Sequence, residues 1–257
     1  MRSSISCTSI VTLLAVLVLS HAALAASDGA SASKAWSATV GVGKAVGLST
    51  RGVSDAMRAG GYDDPTCVSG GIFSCDEVGP TPYSKHAGVS WDLSIRRRMN
   101  PTTWLELLAA RNNLGRTIGY RDEVPAGEMY LNQTATSIAF LIGKGREHAG
   151  LGDGLPWGSL GLALFQVAVN HETPPHQDTA NNVSAIVPGA VASIGYSLGP
   201  GSGRFIPEVQ LRCNLIPPVK LGPVRLPLAG NDPVGSLPRT TINFTHVVVV
   251  LGFGMRI

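Results

Sequence analysis

The feature that most constrains this chain is a two-residue alternation of apolar side chains with small or polar ones. It is clearest in residues 88–98. Val89, Trp91, Leu93 and Ile95 have one parity there, and Ser90, Asp92, Ser94 and Arg96 have the other. Successive side chains of a β-strand point to opposite faces, whereas a helix would mix these two groups on each of its faces. The segment is therefore predicted to be a strand with one apolar and one polar face.

Seven further segments show the same alternation with varying clarity. They are residues 36–49, 103–120, 131–145, 157–171, 183–198, 204–214 and 246–257. The apolar phase slips between Trp104 and Leu108, which predicts a β-bulge there. Pro188-Gly189 interrupts the sixth segment and predicts an edge or a bulge. The chain is thus predicted to be all-β, with eight strands.

The connections between the segments alternate in length. A tight connection lies around Met99-Asn100-Pro101, and residues 146–156 and 199–203 form the other turns, whereas residues 50–85, 121–130, 171–182 and 216–239 are polar or Pro/Gly-rich; long, short, long, short is the rule, with exceptions. In an antiparallel up-and-down meander every second connection lies at the same end of the molecule. The alternation therefore predicts two unlike ends, which is typical of transmembrane barrels with short turns on one side and long loops on the other.

The N-terminal residues have the pattern of an exported protein. Arg2 precedes an apolar run from Ile10 to Leu19, and the small residues Ala23 and Ala25 favour cleavage after Ala25. Residues 1–25 are therefore predicted to be a signal peptide, residues 26–35 a Ser/Ala-rich linker, and residues 36–257 the β-barrel domain. After the predicted cleavage site, no apolar run reaches the roughly 18 residues that a transmembrane helix needs.

The composition indicates that something other than water covers the surface. Charged residues make up 14% of the chain, against about 25% in ordinary soluble domains. The 20 basic and 17 acidic residues nearly balance, so no basic excess indicates a nucleic-acid partner. Lipid against the apolar face of a closed sheet would account for the low charge and would leave no backbone group unpaired in hydrocarbon.

Together, the signal peptide, the eight alternating segments and the last strand, residues 246–257, resemble the small eight-stranded outer-membrane β-barrel proteins of Gram-negative bacteria. The resemblance implies a closed antiparallel up-and-down barrel, monomeric and surrounded by outer-membrane lipid. It also implies that the outer-membrane assembly machinery reads the last strand. The apolar positions of that strand are Val249, Leu251, Phe253, Met255 and Ile257. The family usually ends in an aromatic residue, and this chain departs from it by ending in isoleucine.

If the apolar parity faces lipid, the other parity faces the barrel interior. The polar residues of that parity are Asp92, Arg96, Glu106, Glu208, Gln210 and Arg212. A buried charge is costly unless it is paired, so these residues are predicted to form an ion-pair and hydrogen-bond network. An eight-stranded barrel is narrow enough to be filled by side chains, which predicts a plug. The alternative is a narrow gated channel lined by the same residues.

Two further groups of residues carry structural expectations. Aromatic residues at or near segment ends are predicted to form a girdle at the membrane interfaces, with core packing as the alternative. They are Trp36, Trp91, Trp104, Tyr120, Trp157 and Tyr196. Cys67 and Cys75 lie close together in a Gly- and Asp-rich loop, which predicts a possible disulfide in an exported chain. Cys213 is left over and is interpreted as a small apolar strand residue.

No motif supports a catalytic, cofactor or metal assignment. The His- and acid-containing loop 171–178 matches no closed zinc motif, and His86 with Ser90 shares a parity without forming a triad. The predicted function is a non-enzymatic outer-membrane barrel with a structural or surface-binding role carried by its long loops. The main alternative is a soluble exported barrel of lipocalin type, whose apolar parity would point inward around an apolar ligand. A lipid-modifying barrel enzyme is a further, weaker alternative.

Overall fold

A computed structural model shows how the alternating segments come together. It describes residues 36–47, 53, 55, 57, 67–69, 77–78, 83–85, 89–100, 102–120, 128–145, 155–172, 182–198, 205–225, 236–237 and 239–256. The predicted signal peptide and linker lie outside the described residues.

Eight long strands follow one another along the chain, one for each predicted segment. They are β1 (Trp36–Gly47), β2 (Val89–Asn100), β3 (Thr103–Tyr120), β4 (Glu128–Gly145), β5 (Leu155–Glu172), β6 (Val183–Ser197), β7 (Phe205–Leu215) and β8 (His246–Arg256). The predicted strands differ from the observed ones only at their ends. Among the described residues, no helix is both long and apolar enough to cross a membrane.

The eight strands form one closed sheet. Each strand pairs antiparallel with its neighbours in sequence, and β1 pairs antiparallel with β8. Following the paired residues from strand to strand around the barrel, a path that starts at Ser37 of β1 returns to β1 at Gly47, so the register is staggered along the strand. Such a stagger accompanies the strand tilt that closing a barrel requires. The predicted all-β, up-and-down barrel is confirmed.

The two ends of the barrel differ. The connections 48–88, 121–127, 173–182 and 216–245 emerge at one end, here called the loop end. The connections 101–102, 146–154 and 198–204 lie at the other, here called the turn end, together with the first residue of β1 and the last residue of β8. Strands β3, β4 and β5 have 18 residues each and extend past β2 at the loop end. The pairing of β3 with β2 ends at Asn112, and the rest of β3 continues beyond it.

Shorter strands lie within the loop-end connections. Three pairs are described: Cys67–Ser69 with Glu77–Val78, Val219–Leu221 with Thr240–Ile242, and Val224–Arg225 with Ser236–Leu237. Tyr83–Lys85 pairs with the extended part of β3, beyond the reach of β2. Val53, Asp55 and Met57 have helical backbone, and Val53 and Met57 are buried.

The apolar parity of the strands faces outward. Large apolar side chains are exposed around the whole barrel, with Leu162 of β5 at 76% and Phe253 of β8 at 67%. Their strand neighbours of the opposite parity, such as Ala163 and Gly252, are buried. The soluble lipocalin-type alternative required the reverse orientation, with apolar side chains inside and polar ones against water. The outer face of this barrel is suited to lipid instead.

The two predicted irregularities have different outcomes. Pairing of β3 is continuous from Trp104 to Leu108, so the predicted bulge is wrong there; Leu108 is buried because the adjacent interior is apolar. The register shift between β3 and β4 lies instead between Asn113 and Gly115, and Gly115 has a φ of 128°, which glycine adopts readily. Pro188 lies on the part of β6 that extends past its described pairing with β7, which is the predicted edge position.

Candidate functional site in the barrel interior

Near the turn end, Arg96 of β2 lies between two buried carboxylates. Its Nη1 donates to both carboxylate oxygens of Glu208 on β7, at 2.8 and 3.0 Å. Its Nε lies 3.2 Å from Oε1 of Glu106 on the neighbouring strand β3. One guanidinium therefore joins three strands, two of them adjacent and one across the interior.

Closer to the loop end, a second ion pair joins the same two strands with the roles reversed. Arg212 of β7 is fully buried, and its Nη1 lies 2.7 Å from Oδ2 of Asp92 on β2. Strand β2 thus supplies the base of the first pair and the acid of the second, whereas β7 supplies the opposite partners. We call Arg96–Glu208 and Asp92–Arg212 the crossed ion pairs.

The crossed ion pairs span the seam where the first and last strands meet. In the sheet order, β1 and β8 lie between β2 and β7. The seam residues paired with the two acids are glycines, Gly41 opposite Asp92 and Gly252 opposite Glu208. A Cβ added at Gly41 would overlap the carboxylate of Asp92 and a methyl group of Val250. The missing side chain of Gly41 therefore leaves space that the Asp92 carboxylate occupies.

Two tryptophans lie against the first ion pair. The rings of Trp104 and Trp157 meet edge to face, with centroids 6.1 Å apart. The guanidinium carbon of Arg96 lies 4.6 Å from the Trp157 centroid and 5.8 Å from that of Trp104, within the range of a cation–π contact. Gly143 and Gly195 leave room for the two rings, since a Cβ on either would overlap an indole.

The predicted aromatic girdle is therefore correct only in part. Trp36, Trp91 and Tyr196 are exposed on the outer face. Trp104 and Trp157 contradict the prediction, because they have the inward parity of Glu106 and Ser159 on their own strands, and the glycines opposite them leave room for their rings. The side chain of Tyr120 lies outside the described residues.

Further polar side chains continue the network toward the loop end. Gln210 donates from Nε2 to Ser193 Oγ at 3.4 Å, and Asn214 Nδ2 lies 2.9 Å from Nε2 of His246. The other ring nitrogen of His246 lies 2.8 Å from the backbone oxygen of Phe244. Asn214 and His246 were not among the predicted interior residues, although Asn214 shares the parity of Glu208 and Arg212.

The loop-end part of the interior contains an apolar cluster, which the sequence analysis did not predict. Side chains of the extended strands, including Leu131 of β4 and Phe165 of β5, are fully or almost fully buried there. The same cluster takes in residues of the loop-end connections: Val53, Met57, Ile216, Val219, Leu221, Ile242 and Phe244. The Arg96 ion pairs therefore lie near the turn end, whereas the loop-end part of the interior contains the apolar cluster together with buried polar side chains such as Gln133 and Thr117.

The structure places the predicted site residues as follows. All six predicted interior residues are buried inside the barrel. Five of them form the ion pairs described above, and Gln210 bonds Ser193. In the last strand, Val249, Leu251 and Phe253 are exposed on the outer face, Met255 is half-buried, and Ile257 lies outside the described residues. No group of three or more potential metal-binding side chains occurs within the described part of the chain.

The bonding state of Cys213 differs from the one interpreted from the sequence. Cys213 is disulfide-bonded rather than left over, and it is buried on β7. Its partner lies outside the residues whose side chains are described. Cys67 begins a short strand and Cys75 lies outside the described residues. The Cys67–Cys75 bond stays a prediction.

A closed eight-stranded barrel with an apolar outer face, a charged interior and two unlike ends is a small transmembrane β-barrel of the outer-membrane type. Among solved structures, the outer membrane protein OprG from Pseudomonas aeruginosa superimposes with a TM-score of 0.55 at 11% identity, over 88% of this chain and 96% of that chain. At this identity the match shows a shared fold.

Two further solved structures were found at lower similarity. Neisserial surface protein A gives a TM-score of 0.43 at 13% identity, over 88% of this chain and 99% of that chain. Ail, the attachment invasion locus protein of Yersinia pestis, gives 0.36 at 10% identity, over 88% and 100%. Neither protein-family models nor curated proteins give a match to this sequence.

Proposed function

We propose that this outer-membrane barrel is a non-enzymatic scaffold with a closed interior, which holds its loop-end connections in place for a structural or surface-binding role. The observation that carries the proposal is the pair of crossed ion pairs between β2 and β7. They fill the interior between nearly opposite walls, and an eight-stranded barrel has little width to spare.

The interior is obstructed twice along its length, which supports a plug over a channel. At the turn end, Arg96, Glu208 and the two inward tryptophans occupy one layer. At the loop end, Phe165 and Phe244 belong to an apolar cluster that would resist hydration. An ion would have to break buried charge pairs and then pass this cluster.

Among the described residues, the carboxylates inside the barrel are each paired with a guanidinium, which supports a non-enzymatic role. Asp92 pairs with Arg212, and Glu106 and Glu208 pair with Arg96. His246 contacts Asn214 and a backbone oxygen. A general acid or nucleophile needs access to a substrate, and these side chains lie buried in the interior instead.

The biogenesis and surroundings belong to the same proposal. We infer that residues 1–25 direct export and are removed, and that the assembly machinery reads β8 through outward residues such as Leu251 and Phe253. The barrel then lies in outer-membrane lipid as a monomer. No cofactor is part of the proposal.

The decisive experiment is reconstitution of the mature barrel into liposomes and planar bilayers. We expect no ion conductance and no small-solute permeability, together with the heat-dependent gel mobility of a folded barrel. Glu208→Gln should destabilise the barrel without opening it, because Arg96 loses a buried partner. A Glu208→Gln protein with unchanged stability and raised conductance would show a gated channel instead. Release of the native protein from cells without detergent would contradict the membrane location.

A further inference from the structure

The charged side chains of the barrel are sorted by face. The acids whose side chains are described within the eight strands are Asp92, Glu106 and Glu208, and all three are buried inside. Exposed basic side chains lie on the outer face: Lys44 of β1, Arg97 of β2 and Arg111 of β3. Within the described side chains, the outer wall therefore carries positive charge without a carboxylate to match it.

Two of these basic residues flank the same strand. Lys44 is paired with Val89, and Arg111 is paired with Trp91. Both therefore lie beside the first two outward residues of β2. With strands about 4.8 Å apart and about 3.4 Å per residue, their backbones lie on the order of 12 Å from each other. Trp91 lies between them and is half exposed. We call Lys44, Trp91 and Arg111 the basic margin.

The basic margin lies near the loop-end limit of the apolar outer face, with Val46 as the one outward apolar position of β1 beyond Lys44. Toward the turn end the same three strands expose Val42, Leu93 and Leu107. Strand β1 ends three residues after Lys44, at Gly47. The two cations are thus placed where hydrocarbon gives way to lipid headgroups, and their long apolar stems allow the charged ends to reach that level.

Arg97 provides a contrast at the opposite end of the barrel. Its guanidinium carbon lies 5.4 Å from the ring centroid of Trp36, so the charge is already stacked on an aromatic face. Lys44 and Arg111 have no corresponding ion pair or ring contact within the described residues. They are available for a partner from outside the chain.

We propose that the basic margin binds the headgroup phosphate of an anionic membrane lipid. A guanidinium matches two phosphate oxygens at once, an ammonium adds a point charge, and an indole favours the headgroup level. The two cations are close enough to act on one headgroup or on two linked phosphates. This inference does not depend on whether the interior is closed.

The test is native mass spectrometry of the folded mature barrel released from detergent micelles, titrated with phosphatidylglycerol or phosphatidylcholine. We expect tighter binding of the first phosphatidylglycerol than of the first phosphatidylcholine. Lys44→Gln and Arg111→Gln should each weaken phosphatidylglycerol binding by about fivefold, the effect that corresponds to one basic residue at an anionic membrane surface. Lys44→Arg should retain it.

Arg97→Gln is the matched control, because it also removes one exposed positive charge from the outer wall. We expect its phosphatidylglycerol binding to stay within about twofold of the parent, well inside the effect of a single basic residue. All these side chains are exposed, so heat-dependent gel mobility should show folded barrels throughout. Equal losses of phosphatidylglycerol binding in all three glutamine variants would show that only the net charge matters and would overturn the proposal. A parent barrel that binds phosphatidylglycerol no more tightly than phosphatidylcholine would overturn it as well.

Discussion

Arg212 carries a fully buried guanidinium whose ion pair within the described residues is made with one carboxylate, that of Asp92. Arg212→Met should lower the free energy of unfolding by about 3–5 kcal/mol, since Asp92 is left buried without its partner. Asp92→Asn combined with Arg212→Met should recover much of this loss, because neither charge then remains. Urea unfolding in lipid vesicles measures both. Losses that simply add in the double variant would show that the two residues do not act as a pair.

Gly41 tests the same pair from the side of the seam. Gly41→Ala should destabilise the barrel by about 1–3 kcal/mol, because the new methyl group would overlap both the Asp92 carboxylate and a Val250 methyl group. Gly252 is paired with Gly41, but the nearest atom to an added Cβ there is a Thr39 methyl carbon at 3.1 Å. Gly252→Ala should therefore cost clearly less in the same unfolding measurement. Equal costs would place the effect in the seam as a whole rather than in the ion pair.

At this scale the sequence predicts which residues face inward but not which residues meet. Strand parity places Asp92, Arg96, Glu208 and Arg212 in the interior, where all four are found. The partner of each depends on the stagger of the closed sheet, which brings residues of β2 level with residues of β7 and cannot be read from either strand alone. Trp104 was misplaced although it shares the inward parity of Glu106, and Gly143 in the neighbouring strand supplies the space for its ring.

At the scale of elements, the long strands are predicted well because lipid imposes one apolar face on each of them. Strand β5 alternates less clearly, and the structure gives the reason: Leu162 and Leu164 face outward, while Phe165 and Val167 face an apolar cluster inside. Both faces are apolar there, so parity alone does not separate lipid from interior. The apolar half of the interior was missed on that account.

Phe244, the last apolar residue of the connection between β7 and β8, should anchor that connection to the barrel interior. Phe244 is fully buried in the apolar cluster, next to the end of the short strand Thr240–Ile242. Phe244→Ala should speed protease cleavage within residues 216–245, because the lost packing weakens the docking of this connection. Phe140→Ala, on the outer face of β4, is the control and should leave the cleavage rate unchanged. Equal cleavage of both variants would mean that Phe244 does not anchor the connection.

The disulfides give another prediction at the element scale. Cys7 belongs to the predicted signal peptide, so in the mature chain the partner of Cys213 should be Cys67 or Cys75. Such a bond would tie the connection between β1 and β2 to β7 and would compete with the predicted Cys67–Cys75 bond. Peptide mapping of the non-reduced mature protein should find Cys213 linked to one of these two residues. A Cys67–Cys75 peptide with free Cys213 would contradict this and support the local bond.

For the molecule as a whole, the charged layer at the turn end and the apolar cluster at the loop end lie in series along one axis. Two obstructions in series make a testable distinction, because opening one of them leaves the other in place. Trp104→Ala with Trp157→Ala should remove much of the turn-end layer, and Phe165→Ala with Phe244→Ala should open the apolar cluster. Neither double variant should conduct ions in planar bilayers, and the combined fourfold variant should stay closed as well, because the crossed ion pairs remain between β2 and β7. Heat-dependent mobility should show a folded barrel in each case.

Conductance in either double variant would mean that a single layer closes the interior. Conductance of a folded fourfold variant would contradict the proposal, because Arg96, Glu208, Asp92 and Arg212 still lie between β2 and β7 in that variant. Adding Arg212→Met and Asp92→Asn to a closed fourfold variant should open it. The order in which the layers must be removed thus identifies which residues exclude water from the interior, independently of what the loop-end connections bind.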